Sequence, residues 1–87
     1  MKISFDIDGT LISNDKPRYH VIDLMRWFID EGHEVFVWSG GGTDYALHWV
    51  QKLGLDIAVK VITKGSVKVD IAVDDEEVTL GKVNIKV

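Results

Sequence analysis

Two aspartates separated by one residue, Asp6 and Asp8, end a short apolar run and are followed at once by Gly9-Thr10. On an extended strand side chains alternate in direction, so both carboxylates emerge the same way where the strand gives out. Carboxylates at the end of a buried strand are costly unless a cation or a reaction offsets the desolvation. The plainer alternative is an acidic turn, with Asp8-Gly9 simply ending the strand. Further along, Ser39 opens a run of three glycines, Gly40 to Gly42, and Thr63-Lys64-Gly65 follows another apolar segment. A last apolar segment runs into Asp74-Asp75-Glu76-Glu77. Carboxylates, a hydroxyl beside flexible backbone and a lysine together suit phosphoryl transfer. In that chemistry Asp6 is the nucleophile toward phosphorus and forms an aspartyl phosphate. Asp8 is the general acid for the leaving oxygen, then the base for the water that hydrolyses the intermediate. Ser39 and the amides of Gly40 and Gly41 hold the phosphoryl oxygens near a helix N-terminus. Lys64 balances the remaining negative charge. Mg²⁺, which takes oxygen ligands and keeps several waters, is held by Asp6 and an aspartate of the Asp74-Asp75 pair.

Such a constellation converges only if the intervening chain builds a sheet whose strands end on one rim. Residues 2–7 read as a first strand. Asn14 or Asp15 can cap a helix with Pro17 in its first turn. Val21, Leu24, Met25 and Phe28 supply the apolar stripe of that helix, and Gly32 ends it. Residues 34–38, mostly apolar, read as a second strand of the kind covered on both faces. Thr43 or Asp44 caps a second helix with Ala46, Leu47 and Val50 on its apolar side, closed by Gly54. Residues 57–62 and 69–73 read as third and fourth strands. The interval 63–68 is too short for a crossover helix and holds either one helical turn or a bare loop. Residues 83–87 alternate as a short edge strand. The alternation of strand and helix predicts an α/β class, expected as a three-layer α/β/α Rossmann-like domain with a small, mainly parallel sheet. Ligands bind such sheets at the carboxyl ends of the strands.

Composition narrows the alternatives. The chain has 87 residues, 46% of them apolar, enough for one small domain spanning 1–87 with its own core. It has no cysteine, which removes disulfides, thiolate ligands and a cysteine nucleophile. No apolar run approaches membrane-spanning length, and the first residues lack the pattern of a signal peptide, so a cytoplasmic protein without membrane contact is expected. The formal charge of −4 disfavours broad nucleic-acid binding.

With these residues in place, the chain resembles the haloacid dehalogenase superfamily, whose phosphatases use an aspartate nucleophile and carry four short motifs on a Rossmann-like sheet. Asp6-Ile7-Asp8-Gly9-Thr10 is similar to the first motif, Asp-x-Asp-Gly-Thr, at every position. The segment from Val35 to Gly40 is similar to the second, an apolar strand ending in Ser or Thr, and Ile71 to Asp75 to the fourth, an apolar strand ending in paired acids. The resemblance implies Asp6 as nucleophile, Asp8 as acid/base with its backbone carbonyl a metal ligand, and Ser39 as phosphate binder. It also implies Asp74 and Asp75 as the acids that hold Mg²⁺. The third motif is a lysine, with Lys60, Lys64 and Lys68 in the interval; Lys64 is preferred because it follows an apolar strand and precedes Gly65. Neither the gap after the first motif nor that after the second holds a cap domain. The resemblance is therefore to minimal, capless members, whose open sites suit large substrates or a partner protein acting as a lid.

A Mg²⁺-dependent phosphomonoester hydrolase is thus expected, on a phosphorylated substrate of unspecified class. The alternative is a non-catalytic phosphate- or metal-binding regulatory or interaction module of the same fold. Response-regulator receivers combine similar groups, but with the acidic pair after the first strand and the phosphorylated aspartate later, the reverse of the order here. A phosphotransferase ordinarily needs a cap to keep water out. Asp44 and Tyr45 lie near enough to the rim to touch a leaving group, though a helix cap and a surface aromatic are the preferred reading. His20, His33 and His48 show no metal spacing, and Trp27, Trp38 and Trp49 read as packing residues.

Overall fold

After Lys2, every residue of the first apolar run is buried, as a strand covered on both faces requires. In the computed structural model, which describes residues 1–87, this run is β1 (Lys2–Phe5). A small antiparallel hairpin follows, β2 (Ile12–Ser13) with β3 (Lys16–Pro17). The chain continues through α1 (Tyr19–Asp30), β4 (Glu34–Val37) and α2 (Thr43–Lys52). It ends with β5 (Lys60–Val61), β6 (Val69–Asp74) and β7 (Gly81–Lys86). Five strands form one sheet in the order β5-β4-β1-β6-β7, every neighbouring pair parallel. No helix is long and apolar enough to cross a membrane.

The path β1–α1–β4–α2–β5 steps outward in one direction, and right-handed crossovers then place both helices on the same face. Packing follows that rule. Ile3 and Phe5 of β1 and Val35 and Val37 of β4 share one core with Val21, Met25 and Phe28 of α1 and Ala46, Trp49 and Val50 of α2. The expected three-layer arrangement is therefore corrected to helices on one face only. The reason lies in the return connections. Residues 62–68 lead from β5 across to β6, and residues 75–80 lead from β6 to β7. Six extended residues reach roughly 20 Å, which leaves no slack for a helix. Instead Ile62 and Val67 from the first connection, and Val78 and Leu80 from the second, pack on Phe36, Trp38, Val69 and Ala72. Bare chain takes the place of the missing helical layer.

Three local expectations also change. Asn14 and Asp15 are the two-residue tip of the β2–β3 hairpin, with φ of 51° and 59°, rather than a helix cap. Both residue types tolerate the left-handed region, and a mirror-type turn fits the twist of a two-residue hairpin. Pro17 accordingly ends β3, and α1 starts behind Arg18. The third strand shrinks to Lys60–Val61, since residues 56–58 turn back and leave Ile57 96% exposed while Leu55 fills the core. On α2, Trp49 is buried and Leu47 is exposed. Of the other tryptophans, Trp38 is buried and Trp27 lies out in solvent. The edge position expected for the last strand is where β7 sits.

Candidate functional site

Parallel register decides which residues meet. Phe5 pairs with Val37 on one side and with Val73 on the other. The next residue along each of the two inner strands is an aspartate, and Asp6 N–H donates to Val73 C=O at 3.1 Å. Asp6 and Asp74 are thus neighbours at the carboxyl ends of β1 and β6. Both are buried, at 7% and 1% exposure. One carboxylate oxygen from each of Asp6, Asp74 and Asp75 lies within 4.8 Å of the others.

Lys64 enters from the connection after β5. Its Nζ donates to Asp74 Oδ2 at 2.9 Å and reaches Asp6 Oδ1 at 3.4 Å. Lys60 instead pairs with Glu34, and Lys68 lines a hollow at the other end of the sheet. Among these three lysines, Lys64 is the one that reaches the acidic cluster. The other oxygen of Asp74 accepts the Glu76 N–H at 3.0 Å.

Burial and the negative charge of Asp74 push the Asp6 carboxyl up to about 6, with Lys64 pulling the other way. Burial also raises Asp75, reinforced by its hydrogen-bonding contact with Asp74. For Lys64, burial acts to lower the ammonium pKa. The hydrogen bond to Asp74 and the charges of Asp6 and Asp74 outweigh it, leaving a net upward shift. The cluster is short of positive charge, and one lysine does not balance it.

Gly9 explains the turn that follows the aspartates. Its φ is +75°, and a Cβ there would lie 2.2 Å from Asp75 Oδ2. The missing side chain therefore makes room for one of the three clustered carboxylates as well as for the backbone. Gly9 N–H donates to Ile12 C=O at 2.8 Å, and the Arg18 guanidinium donates to Gly9 C=O. The hairpin and the start of α1 thereby hold the loop that carries Asp8.

Asp8 is exposed, and its carboxylate stands apart from the three-acid cluster. Its Oδ1 accepts the Tyr45 hydroxyl at 2.6 Å. That hydrogen bond is the leading reason the Tyr45 phenol titrates above its usual range. Ser39, buried beyond the end of β4, accepts the Gly41 N–H on Oγ at 3.0 Å. Asp6, Asp8, Ser39, Gly40, Gly41, Lys64, Asp75 and Glu76 line one open cleft of about 260 Å³. A larger hollow of about 840 Å³ opens at the amino ends of the strands and contains none of these groups.

The donor set fits a hard divalent cation. It is all oxygen and carries several negative charges, with no thiolate or imidazole that would favour a softer metal. Ligands about 2 Å from Mg²⁺ stand roughly 3 to 4 Å apart in an octahedron, so small side-chain rotations bring the three carboxylates into range. Tyr45, preferred from sequence as a surface aromatic, instead bonds Asp8, and the Glu76 amide and the Arg18 tether are contributors that sequence alone does not indicate. Tyr45 carried a usable signal, since it falls in the first turn of a helix whose N-terminus follows Ser39 and the glycines. The other two depend on tertiary geometry alone. No family model, curated protein or solved structure matches this chain.

Proposed function

We propose that this chain is a Mg²⁺-dependent phosphomonoester hydrolase of the haloacid dehalogenase type, working through an aspartyl phosphate on Asp6. The observation that carries the reading is the convergence of two sets of groups on one cleft. Asp6, Asp8, Lys64 and Asp75 line that cleft together with Ser39, Gly40 and Gly41, and Asp74 joins the cluster through Lys64. Asp6, Asp74 and Asp75 would hold the cation, which supplies the charge neutralisation that lets a phosphate dianion approach this acidic rim.

The chain's own residues do the rest. Ser39 and the backbone of Gly40 and Gly41 orient the phosphoryl oxygens. An Asp6 oxygen forms a bond to phosphorus as the ester oxygen departs with its electron pair, and Asp8 delivers a proton to that oxygen. Water then gives a proton back to Asp8 and attacks the same phosphorus. Inorganic phosphate leaves and the Asp6 carboxylate is restored. Lys64 steadies Asp6 and Asp74 throughout through its two contacts. Between Asp8 and α1 the chain forms only a hairpin of two two-residue strands and no inserted domain, so large phosphorylated substrates, or a partner that closes the mouth, suit this reading.

Hydrolysis of p-nitrophenyl phosphate tests it. Release of phosphate that needs Mg²⁺ and is lost in Asp6→Asn supports the reading. Mg²⁺ binding without turnover would favour a non-catalytic phosphate- or metal-binding module.

A further inference from the structure

Tyr45 touches two parts of the cleft at once. Its hydroxyl donates to Asp8 Oδ1 at 2.6 Å. Its ring lies over Gly41, where a Cβ would stand 3.2 Å from Tyr45 Cδ2 and 3.4 Å from Ser39 Oγ. The ring thus fills the space beside the serine and glycines, and the hydroxyl projects from there to the acid/base aspartate. The next residue, Ala46, is fully buried against the core, which fixes the helix backbone that carries the ring. Asp8 is exposed, and while its backbone is bridged to Ile12, the Tyr45 hydroxyl is the one hydrogen-bond partner of its carboxylate.

An exposed hydrogen bond adds little to stability. Its geometric effect is larger. A carboxylate whose Oδ1 accepts a phenol presents Oδ2 as its free oxygen, and proton transfer needs one oxygen held within hydrogen-bond reach of the leaving group. We propose that Tyr45 is a positioning residue for Asp8, anchored on Gly41 and holding Oδ1 so that Oδ2 faces the leaving-group oxygen. This assignment rests on the hydrolase reading above. It implies that the chain is built for esters whose leaving oxygen must be protonated, alkyl phosphates rather than activated aryl phosphates. The phenol itself gains and loses no proton during turnover.

The test compares Tyr45→Phe with the wild type on two probes, p-nitrophenyl phosphate and glycerol 2-phosphate, at saturating Mg²⁺. The phenyl ring keeps the Gly41 contact and only the hydroxyl is removed. General-acid assistance is worth about 10² to 10⁴ in rate, and loss of its alignment forfeits part of that. The expected result is a fall in kcat/KM, which covers only the steps up to departure of the leaving group, of about tenfold or more on the alkyl ester and about threefold or less on the aryl ester. In an Asp8→Asn background the same substitution is expected to change neither rate further. An equal loss of kcat/KM on the two esters, or none on the alkyl ester, would overturn the role of Tyr45 while leaving the hydrolase reading intact. A wild-type chain that hydrolyses neither ester would remove the hydrolase reading, and this assignment with it.

Discussion

A methyl group on Gly9 has nowhere to go, because Asp75 Oδ2 already occupies the place and the backbone is left-handed. Gly9→Ala is therefore expected to push Asp75 out of the acidic cluster, weakening Mg²⁺ binding by about tenfold or more and lowering stability by about 1 kcal/mol or more. Titration calorimetry and urea unfolding read the two effects separately. Asp6 gives a second expectation. Its carboxyl titrates near 3.8 ordinarily and about 6 in the fold, so between those values the folded chain binds the extra proton. The associated stabilisation is complete below about pH 4 and is lost as pH rises through 6. Without metal, wild type should lose up to about 3 kcal/mol relative to Asp6→Asn between pH 4 and 7, at 1.36 kcal/mol per pH unit. Urea unfolding of both proteins in chelator measures it, and parallel pH profiles would contradict it. Asp6, Asp8, Ser39, Lys64 and the Asp74-Asp75 pair were all readable from residue type and spacing, because each ends or follows an apolar strand segment. For Tyr45 only the place near the rim was readable, since nothing in a lone aromatic near a helix start says which way its hydroxyl points.

The elements show where periodicity informs and where it stops. Val21, Met25 and Phe28 mark the buried side of α1, and the apolar runs mark β1, β4 and β6. The Asn14-Asp15 pair reads equally as a helix cap or a hairpin tip, and only the pairing of Ser13 with Lys16 decides. The run from Ile57 to Ile62 is apolar enough for a strand, yet its first residues turn away because Leu55 takes the interior position. β7 depends on close approach. A Cβ at Gly81 would meet Val83 C=O oxygen at 2.8 Å and Ala72 N at 2.9 Å, backbone atoms that cannot rotate aside. Asn84 clamps the same residue, accepting its N–H at 2.9 Å and donating to its carbonyl at 2.8 Å. Gly81→Ala is expected to cost about 1–3 kcal/mol, lowering Tm by several degrees for a domain of this size. Because β7 pairs directly with β6, whose last residue is Asp74, the same change should also weaken Mg²⁺ binding. An unaltered thermal melt would contradict that account of the edge strand.

Taken whole, the chain is a parallel sheet with two helices on one face and two helix-free connections on the other. The layer count was not readable from element order, because it depends on crossover handedness together with the length of the return connections. Trp38 anchors the face that lacks helices, where Ile62, Val67, Val78 and Leu80 supply the cover. Those covering segments also carry Lys64 and follow directly from Asp75 and Glu76, so folding of that face and assembly of the cleft are one event. Trp38→Ala is expected to cost about 3–5 kcal/mol, enough to unfold a small domain of marginal stability. Loss of the near-ultraviolet circular dichroism signal at 25 °C, which the wild type should show, reads that outcome. In the proposed function the phosphoryl group passes to Asp6 and then to water. The decisive measurement is rapid-quench mass spectrometry of Asp8→Asn mixed with p-nitrophenyl phosphate and Mg²⁺. The activated leaving group departs without an acid, while water attack lacks its base, so the proposal predicts a stoichiometric burst of nitrophenolate and phosphate covalently bound to the peptide carrying Asp6. Phosphate on any other residue, or turnover by the wild type with no phosphorylated chain in the variant, would contradict it.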